Sequence, residues 1–182
     1  MKASKLSTVI RLLLALFLLV PMAMIPASAA SFSEHQIKAA FLYNFPHFIK
    51  WPIGKSGKYP HTINYCVLHQ GAVERALYSL ILADKKDSDA RRYTVLSDLS
   101  SVSGCHILFI SGDNNEPVDE KVKLDSAKNT LIIGDQLDFI DNGGMIGLVR
   151  KNEQVEVHIN MQLVTAHGFK ISSKLLRLAK VF

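Results

Sequence analysis

The sequence lacks the signatures on which most catalytic assignments rest. It contains no G-x-S-x-G nucleophile elbow, no phosphate-cradling G-x-x-x-x-G-K-[ST], no G-x-G-x-x-G, no H-E-x-x-H and no D-x-D-x-D-G calcium loop, so none of the chemistries those motifs support is expected. Its seven histidines, at positions 35, 47, 61, 69, 106, 158 and 167, include no pair four residues apart, the spacing that sets two metal ligands on one helix face. Cysteine is equally scarce. Cys66 and Cys105 are the only two, with neither a C-x-x-C redox pair nor a Cys/His spacing suited to zinc. No Lys/Arg stripe interleaved with aromatics is present, which argues against a nucleic-acid partner despite a whole-chain net charge of +5. Beyond residue 30 no apolar run approaches the roughly twenty residues that cross a bilayer core.

What the chain does have begins at its first residues. Lys2, Lys5 and Arg11 accompany the apolar run LLLALFLLV (Leu12 to Val20), Pro21 breaks it, and Ala27-Ser28-Ala29 supplies small residues for cleavage. This is the layout of a secretory signal peptide over residues 1–30, cleaved near Ala29 or Ala30. With no lipobox cysteine near its end, the expected destination in a bacterium is the periplasm, without a lipid anchor. Taking the three basic residues of this segment from 21 leaves 18 Lys and Arg against 16 Asp and Glu, a mature net charge of about +2. Residues 31–182 suit one domain large enough for a full core. In an oxidising compartment Cys66 and Cys105 are expected to pair, and closing their loop of about 40 residues stabilises by ~4 kcal/mol in the chain-entropy account. The bond serves either as a structural staple or as a reducible, regulatory link.

Ser33 and Gln36 form a capping box, and Ile37, Ala40, Phe41, Asn44, Phe45 and Phe48 follow at helical spacing. The helix is expected to start near Ser33, bend at Pro46 and stop at Trp51-Pro52 and Gly54, its aromatic stripe buried against a sheet. Thr62 to Leu68 reads as a buried strand, Ala72 to Ala83 as a helix, and Asp84 to Arg92 as a solvated charged loop. Tyr93 to Leu96, His106 to Ser111 and Thr130 to Ile133 read as strands, with a polar helix over Glu116 to Ala127 and a helical turn over Gln136 to Ile140. Met145 to Arg150 and Gln154 to Asn160 flank Lys151-Asn152-Glu153 as a hairpin, with Val155, Val157 and Ile159 inward and Glu156 and His158 outward. Asn160 can cap a helix reaching His167, and Ser172 or Ser173 a last helix carrying Leu175, Leu176, Leu178 and Ala179. Strands alternating with helices imply an α/β fold: a three-layer single domain with a mainly parallel sheet, a late antiparallel hairpin and flanking helices.

Few side chains suggest chemistry. Asp135, Asp138 and Asp141 recur every third residue, but a calcium site needs more oxygen ligands, so a solvated face is the simpler reading. His106 is read as structural, Asn142-Gly143-Gly144 as a tight turn, and Arg177 as a side chain that snorkels from an apolar helix. Neither cofactor nor metal is expected, nor is an enzyme.

Three segments carry a resemblance. IKAAFLYNFPHFIKWP, CHILFIS and GGMIGLVRKNEQVEVHINMQLVTAHGFKISSKLLRLAKV together resemble the YfiR/HmsC-like family across nearly all of the mature chain. The family pattern K-A-x-F-L-x-x-F-x-x-F-x-x-W-P falls on Lys38, Ala39, Phe41, Leu42, Phe45, Phe48, Trp51 and Pro52, and its carboxy-terminal pattern on Asn160 through Ala179. Pro46 departs from it. The resemblance implies a non-catalytic periplasmic repressor that binds the periplasmic sensory domain of an inner-membrane diguanylate cyclase, lowering cyclic di-GMP and biofilm formation. It implies an outer-membrane lipoprotein that sequesters the repressor, a homodimer, and a role for Cys66 and Cys105, which match one of two family cysteine pairs; the second pair is absent. The alternative reading is a small-ligand-binding accessory module of a sensor kinase or outer-membrane transport system, with Asn160, Arg177 and His158 as its candidate binding groups.

Overall fold

The computed structural model describes residues 32–52, 60–68, 70–84, 90–112 and 129–182. The expected signal peptide at 1–30, the polar helix at 116–127, Gly54 and His69 lie outside the described residues. Phe32–Phe182 forms one compact unit. It starts where the capping box predicts: the Ser33 hydroxyl accepts from the Gln36 N–H and the Gln36 side chain accepts from the Ser33 N–H. The first helix, α1, spans Glu34–Asn44 and ends earlier than the expected Trp51 stop. Pro46 has no N–H to return to Leu42, so Phe45–His47 tightens into a 3-10 turn instead of continuing the helix, and the chain leaves it as the short strand β1, Ile49–Lys50.

Seven strands form the main sheet: β2 (Ile63–Leu68), β3 (Arg91–Leu96), β4 (Ile107–Ile110), β5 (Leu131–Gly134), β6 (Ile146–Lys151), β7 (Gln154–Ile159) and β9 (Ala179–Val181), in the order β3-β2-β4-β5-β6-β7-β9. Pairs from β3 through β6 are parallel, β6 and β7 form the antiparallel hairpin, and β9 runs parallel to β7. The fold is therefore mixed α/β with a mainly parallel sheet and flanking helices, as the alternation of elements predicts. Between β6 and β7 the two turn residues Asn152 and Glu153 both have positive φ, the backbone whose twist matches a right-handed hairpin. A separate pair joins β1 to β8 (Lys170–Ile171).

Two regions differ from expectation. The last helix, α4, is only Ser173–Leu176. Ala179–Val181 is a strand, because backbone hydrogen bonds from Phe182 N–H to Ile159 O and from Met161 N–H to Phe182 O fix the chain end along β7. Of the expected solvated loop from Asp84 to Arg92, residues 85–89 lie outside the described residues; Arg92 is exposed, but Arg91 lies in β3, buried and paired with Asp84. The remaining helices are α2 (Ala72–Ala83), matching its expected span, and α3 (Met161–Ala166), capped by Asn160. Gln136 to Ile140 forms a hydrogen-bonded turn, as expected, with Phe139 N–H donating to Gln136 O.

Alternation along each strand splits the core between the two faces. Tyr65 and Val67 of β2, Ile107 and Phe109 of β4, and Leu131 and Ile133 of β5 join α1 and α2 in one cluster. Cys66, Leu108 and Ile132 point to the other face, where they pack with Val102, Cys105 and Phe139.

Candidate functional site

Helix α1 carries apolar residues on two adjacent stripes. The stripe that meets the sheet is Ala39, Leu42 and Phe45, joined by the buried Lys38. Of the stripe expected to be buried, Phe45 is buried, while Ile37, Ala40, Phe41, Asn44 and Phe48 line an open groove against Ala76, Ser79 and Leu80 of α2, with a volume of about 740 Å³. Phe41 and Phe48 still touch the core and are half-buried. At the rim stand Phe32 (75% exposed), Leu80 (37%) and Leu178 (74%). The three polar side chains of the lining already serve their own helices. Gln36 accepts from Ser33 N–H, the Asn44 amide donates to Ala40 O at 2.7 Å, and the Ser79 hydroxyl donates to Arg75 O at 2.9 Å.

Two ionic clamps hold α1 in place. Lys38 Nζ lies 2.6 Å from Glu34 Oε1 and 2.9 Å from Asp135 Oδ2. Asp135 Oδ1 accepts the Gly112 N–H at 2.6 Å, and Glu34 continues to Arg150 at 3.0 Å. Burial pulls the Lys38 pKa down, but its hydrogen bonds to Glu34 and Asp135 outweigh that and hold it above the usual 10.5. The bond from Lys38 is also the main reason that Glu34 titrates below its ordinary value. In the second clamp, the Tyr43 hydroxyl donates to Asp84, whose carboxylate also takes Arg91 Nη1 at 2.7 Å. The Arg91 guanidinium stacks 4.4 Å above the Tyr43 ring, and the Tyr65 hydroxyl donates to Tyr43 O. Burial is the chief cause that pushes the Tyr65 pKa up to about 12.

The residues singled out from the sequence fall in several places. Trp51 is buried, its ring edge-on to Phe169 with centroids 5.9 Å apart and its N–H on His106 O. Pro52 lies against Gly168, where φ is +77° and an added Cβ would sit 3.1 Å from the proline ring. The two ends of the family pattern thus meet. Cys66 and Cys105 form a disulfide with Cα atoms 5.7 Å apart, both buried. Beside it, His106 Nδ1 accepts the Asn64 N–H at 3.0 Å, and burial lowers the histidine pKa below 6.5.

Asn160 spends its side-chain oxygen on the Leu163 N–H, as a helix cap. His158 bonds Glu156 at 3.0 Å and lies tilted against the Phe182 ring, and Arg177 is exposed at the end of α4. Asn160 and His158 are thus each engaged within the fold. Asp138 accepts from Asn142, while Asp135 is buried rather than solvated. Among the described residues no group of three or more His, Cys, Asp or Glu side chains is placed to hold a metal. Sequence reasoning missed both clamps. The only local signal was Glu34 four residues before Lys38, an ordinary helical ion-pair spacing; nothing local announces Asp135.

The YfiR/HmsC-like family model matches residues 35–180. No curated protein matches the chain significantly. Among solved structures, the ABC domain in complex with L-Trp from Streptococcus pneumonia aligns with a TM-score of 0.46 and 11% identity, over 82% of this chain and 60% of that one. A conserved domain protein from Vibrio cholerae O1 biovar El Tor aligns with a TM-score of 0.48 and 13% identity, over 81% and 59%. The chain therefore spans about three fifths of the length of either structure, and neither likeness bears on function.

Proposed function

Because the chain belongs to the YfiR/HmsC-like family, we propose that it is a non-catalytic periplasmic regulator that binds the periplasmic sensory domain of an inner-membrane diguanylate cyclase and represses cyclic di-GMP synthesis. The family match over residues 35–180 carries this reading. A homodimer, sequestration by an outer-membrane lipoprotein and an effect on biofilm formation belong to the same proposal.

Several features support a binding role. The groove beside α1 exposes large apolar side chains at its rim, as interaction sites do. Lys38 and Asp135, and Arg91 and Asp84, are spent on each other as ion pairs, holding structure. The Cys66–Cys105 bond suits an oxidising compartment, and no helix among the described residues is long and apolar enough to cross a membrane. Repression requires tighter binding to the inactive cyclase than to the active one; equal affinity shifts nothing.

The test is cellular cyclic di-GMP with the gene deleted and then restored. A rise on deletion that restoration reverses is the expected result. An unchanged level, with the protein expressed and its cyclase present, overturns repression and leaves a small-ligand module as the reading to pursue.

A further inference from the structure

We infer that two copies of this chain join edge to edge through β3, antiparallel about a two-fold axis at Thr94, into one continuous sheet. This pairing rests on the regulator reading above and supplies the interface of its homodimer. Among the described residues the main sheet has two outer strands, β3 and β9, and such edges offer backbone groups to another strand. The two are built differently. β9 is Ala179–Val181 with exposed Lys180 at its middle, so a second β9 laid antiparallel on it would set lysine against lysine, a repulsive pair. β3 runs longer, Arg91–Leu96, pairs with β2 in one unbroken register, and has neither proline, lysine nor bulge to blunt it.

The hydrogen-bond ladder fixes what that edge presents. Leu131 N–H donates to His106 O, and alternation followed from β5 through β4 and β2 turns the N–H and C=O of Arg92, Thr94 and Leu96 toward β2. Those of Tyr93 and Val95 face outward. With Thr94 opposite Thr94 of the second copy, Tyr93 of each chain meets Val95 of the other, and each such pair exchanges both of its backbone hydrogen bonds. The side chains agree with this register. Tyr93 against Val95 is an aromatic and β-branched cross-strand pair. Val95 (45% exposed) and Tyr78 (46% exposed), whose ring lies 5.1 Å from that of Tyr93, supply apolar area for it to cover. On the other face exposed Arg92 comes diagonally across from Asp98 of the second copy, which lies just past β3 with extended backbone. An axis at Tyr93 would set Arg92 diagonal to Arg92 instead. Charge complementarity therefore selects a second copy in the Thr94 register, because one segment supplies both halves of each pair.

The test is sedimentation of the protein purified after export, over a concentration series, with amide exchange resolved by residue. The wild type is expected to dimerise, and the Tyr93 and Val95 N–H groups to gain protection as it does, while those of Arg92, Thr94 and Leu96 are protected throughout. Val95→Lys places on β3 the residue that blunts edges and should weaken the dimer by about tenfold or more. Arg92→Glu should weaken it by about threefold or more, and Arg92→Glu/Asp98→Lys should restore it. Lys180→Glu, at the other edge, should stay within about twofold of the wild type. Circular dichroism verifies each fold, and exposed Arg92 keeps the test open should Val95→Lys fail to fold. A wild type that stays monomeric overturns the pairing; if it still restores low cyclic di-GMP the regulator reading stands, and if it does not, both fall. Folded Val95→Lys and Arg92→Glu that dimerise as the wild type does put the dimer contact elsewhere and overturn the β3 assignment. Tyr93 and Val95 amides that gain protection only when the cyclase's periplasmic domain is added overturn the second copy in favour of a strand of that domain.

Discussion

On the face of the sheet that carries α1 and α2, twenty-two buried residues form one core among those described; on the opposite face eight do. The larger core holds its outer helix with ion pairs as well as apolar contact, and it leaves one apolar stripe of that helix uncovered. The smaller has a covalent staple, Cys66–Cys105, and a ring seated on glycine: added Cβ atoms at Gly134 and Gly144 would stand 2.4 and 2.2 Å from Phe139. The contrast teaches where a recognition surface can be carried. Ion pairs seat α1 and leave its second apolar stripe open, whereas on the other face a disulfide and an aromatic ring seated on glycine carry the packing.

The sharpest way to break the comparison is Lys38→Met. It strands the Asp135 carboxylate in a buried site with only the Gly112 N–H, and stability is expected to fall by about 3–5 kcal/mol, read from urea unfolding. Adding Asp135→Asn should recover part of the loss. A cost below about 1 kcal/mol would show that the clamp does not hold α1.

On the face that carries the disulfide, Cys66→Ser/Cys105→Ser is expected to lower stability by about 2–4 kcal/mol. Hydrogen exchange should rise first at β2 and β4 and least at α1; uniform loss would erase the distinction between faces. Next in size comes Gly134→Ala, at about 1–3 kcal/mol from displacing the Phe139 ring. Phe139→Leu in that background should restore part of it.

The smallest effect is a pH dependence with two windows. His106 has a folded pKa below 6.5, so the unfolded chain takes the proton first; its contribution is present above pH 6.5 and is lost as pH falls toward the folded value. Glu34, also lowered in the fold, contributes above pH 4.5 and loses that contribution as pH falls through its folded value. Thermal midpoints across this range should drop in two stages. His106→Gln is expected to flatten only the upper one.

Much of the chain was legible because its signals are local. The capping box at Ser33, the span of α2, the β6–β7 hairpin with its inward valines, and the parallel strands all follow from periodicity and turn chemistry over a few residues. The candidate site was half legible. The stripe of Ile37, Phe41 and Phe48 was visible, but α1 is apolar on two stripes, and a helix cannot state by itself which one meets the sheet.

That choice belongs to partners distant in sequence. Lys38 and Asp135 are 97 positions apart, and their pairing turns Ala39, Leu42 and Phe45 inward and leaves Phe41 beside the groove. Ala179–Val181 has helical spacing before it, yet becomes a strand because the edge of β7 offers hydrogen bonds that an isolated segment lacks. By itself the sequence determined the compartment signal expected at its start, the number and kind of most elements, and the two cysteines available to pair. Only the tertiary structure decided which apolar stripe is buried and where the charges meet, because those depend on contacts between segments whose separation no local period encodes.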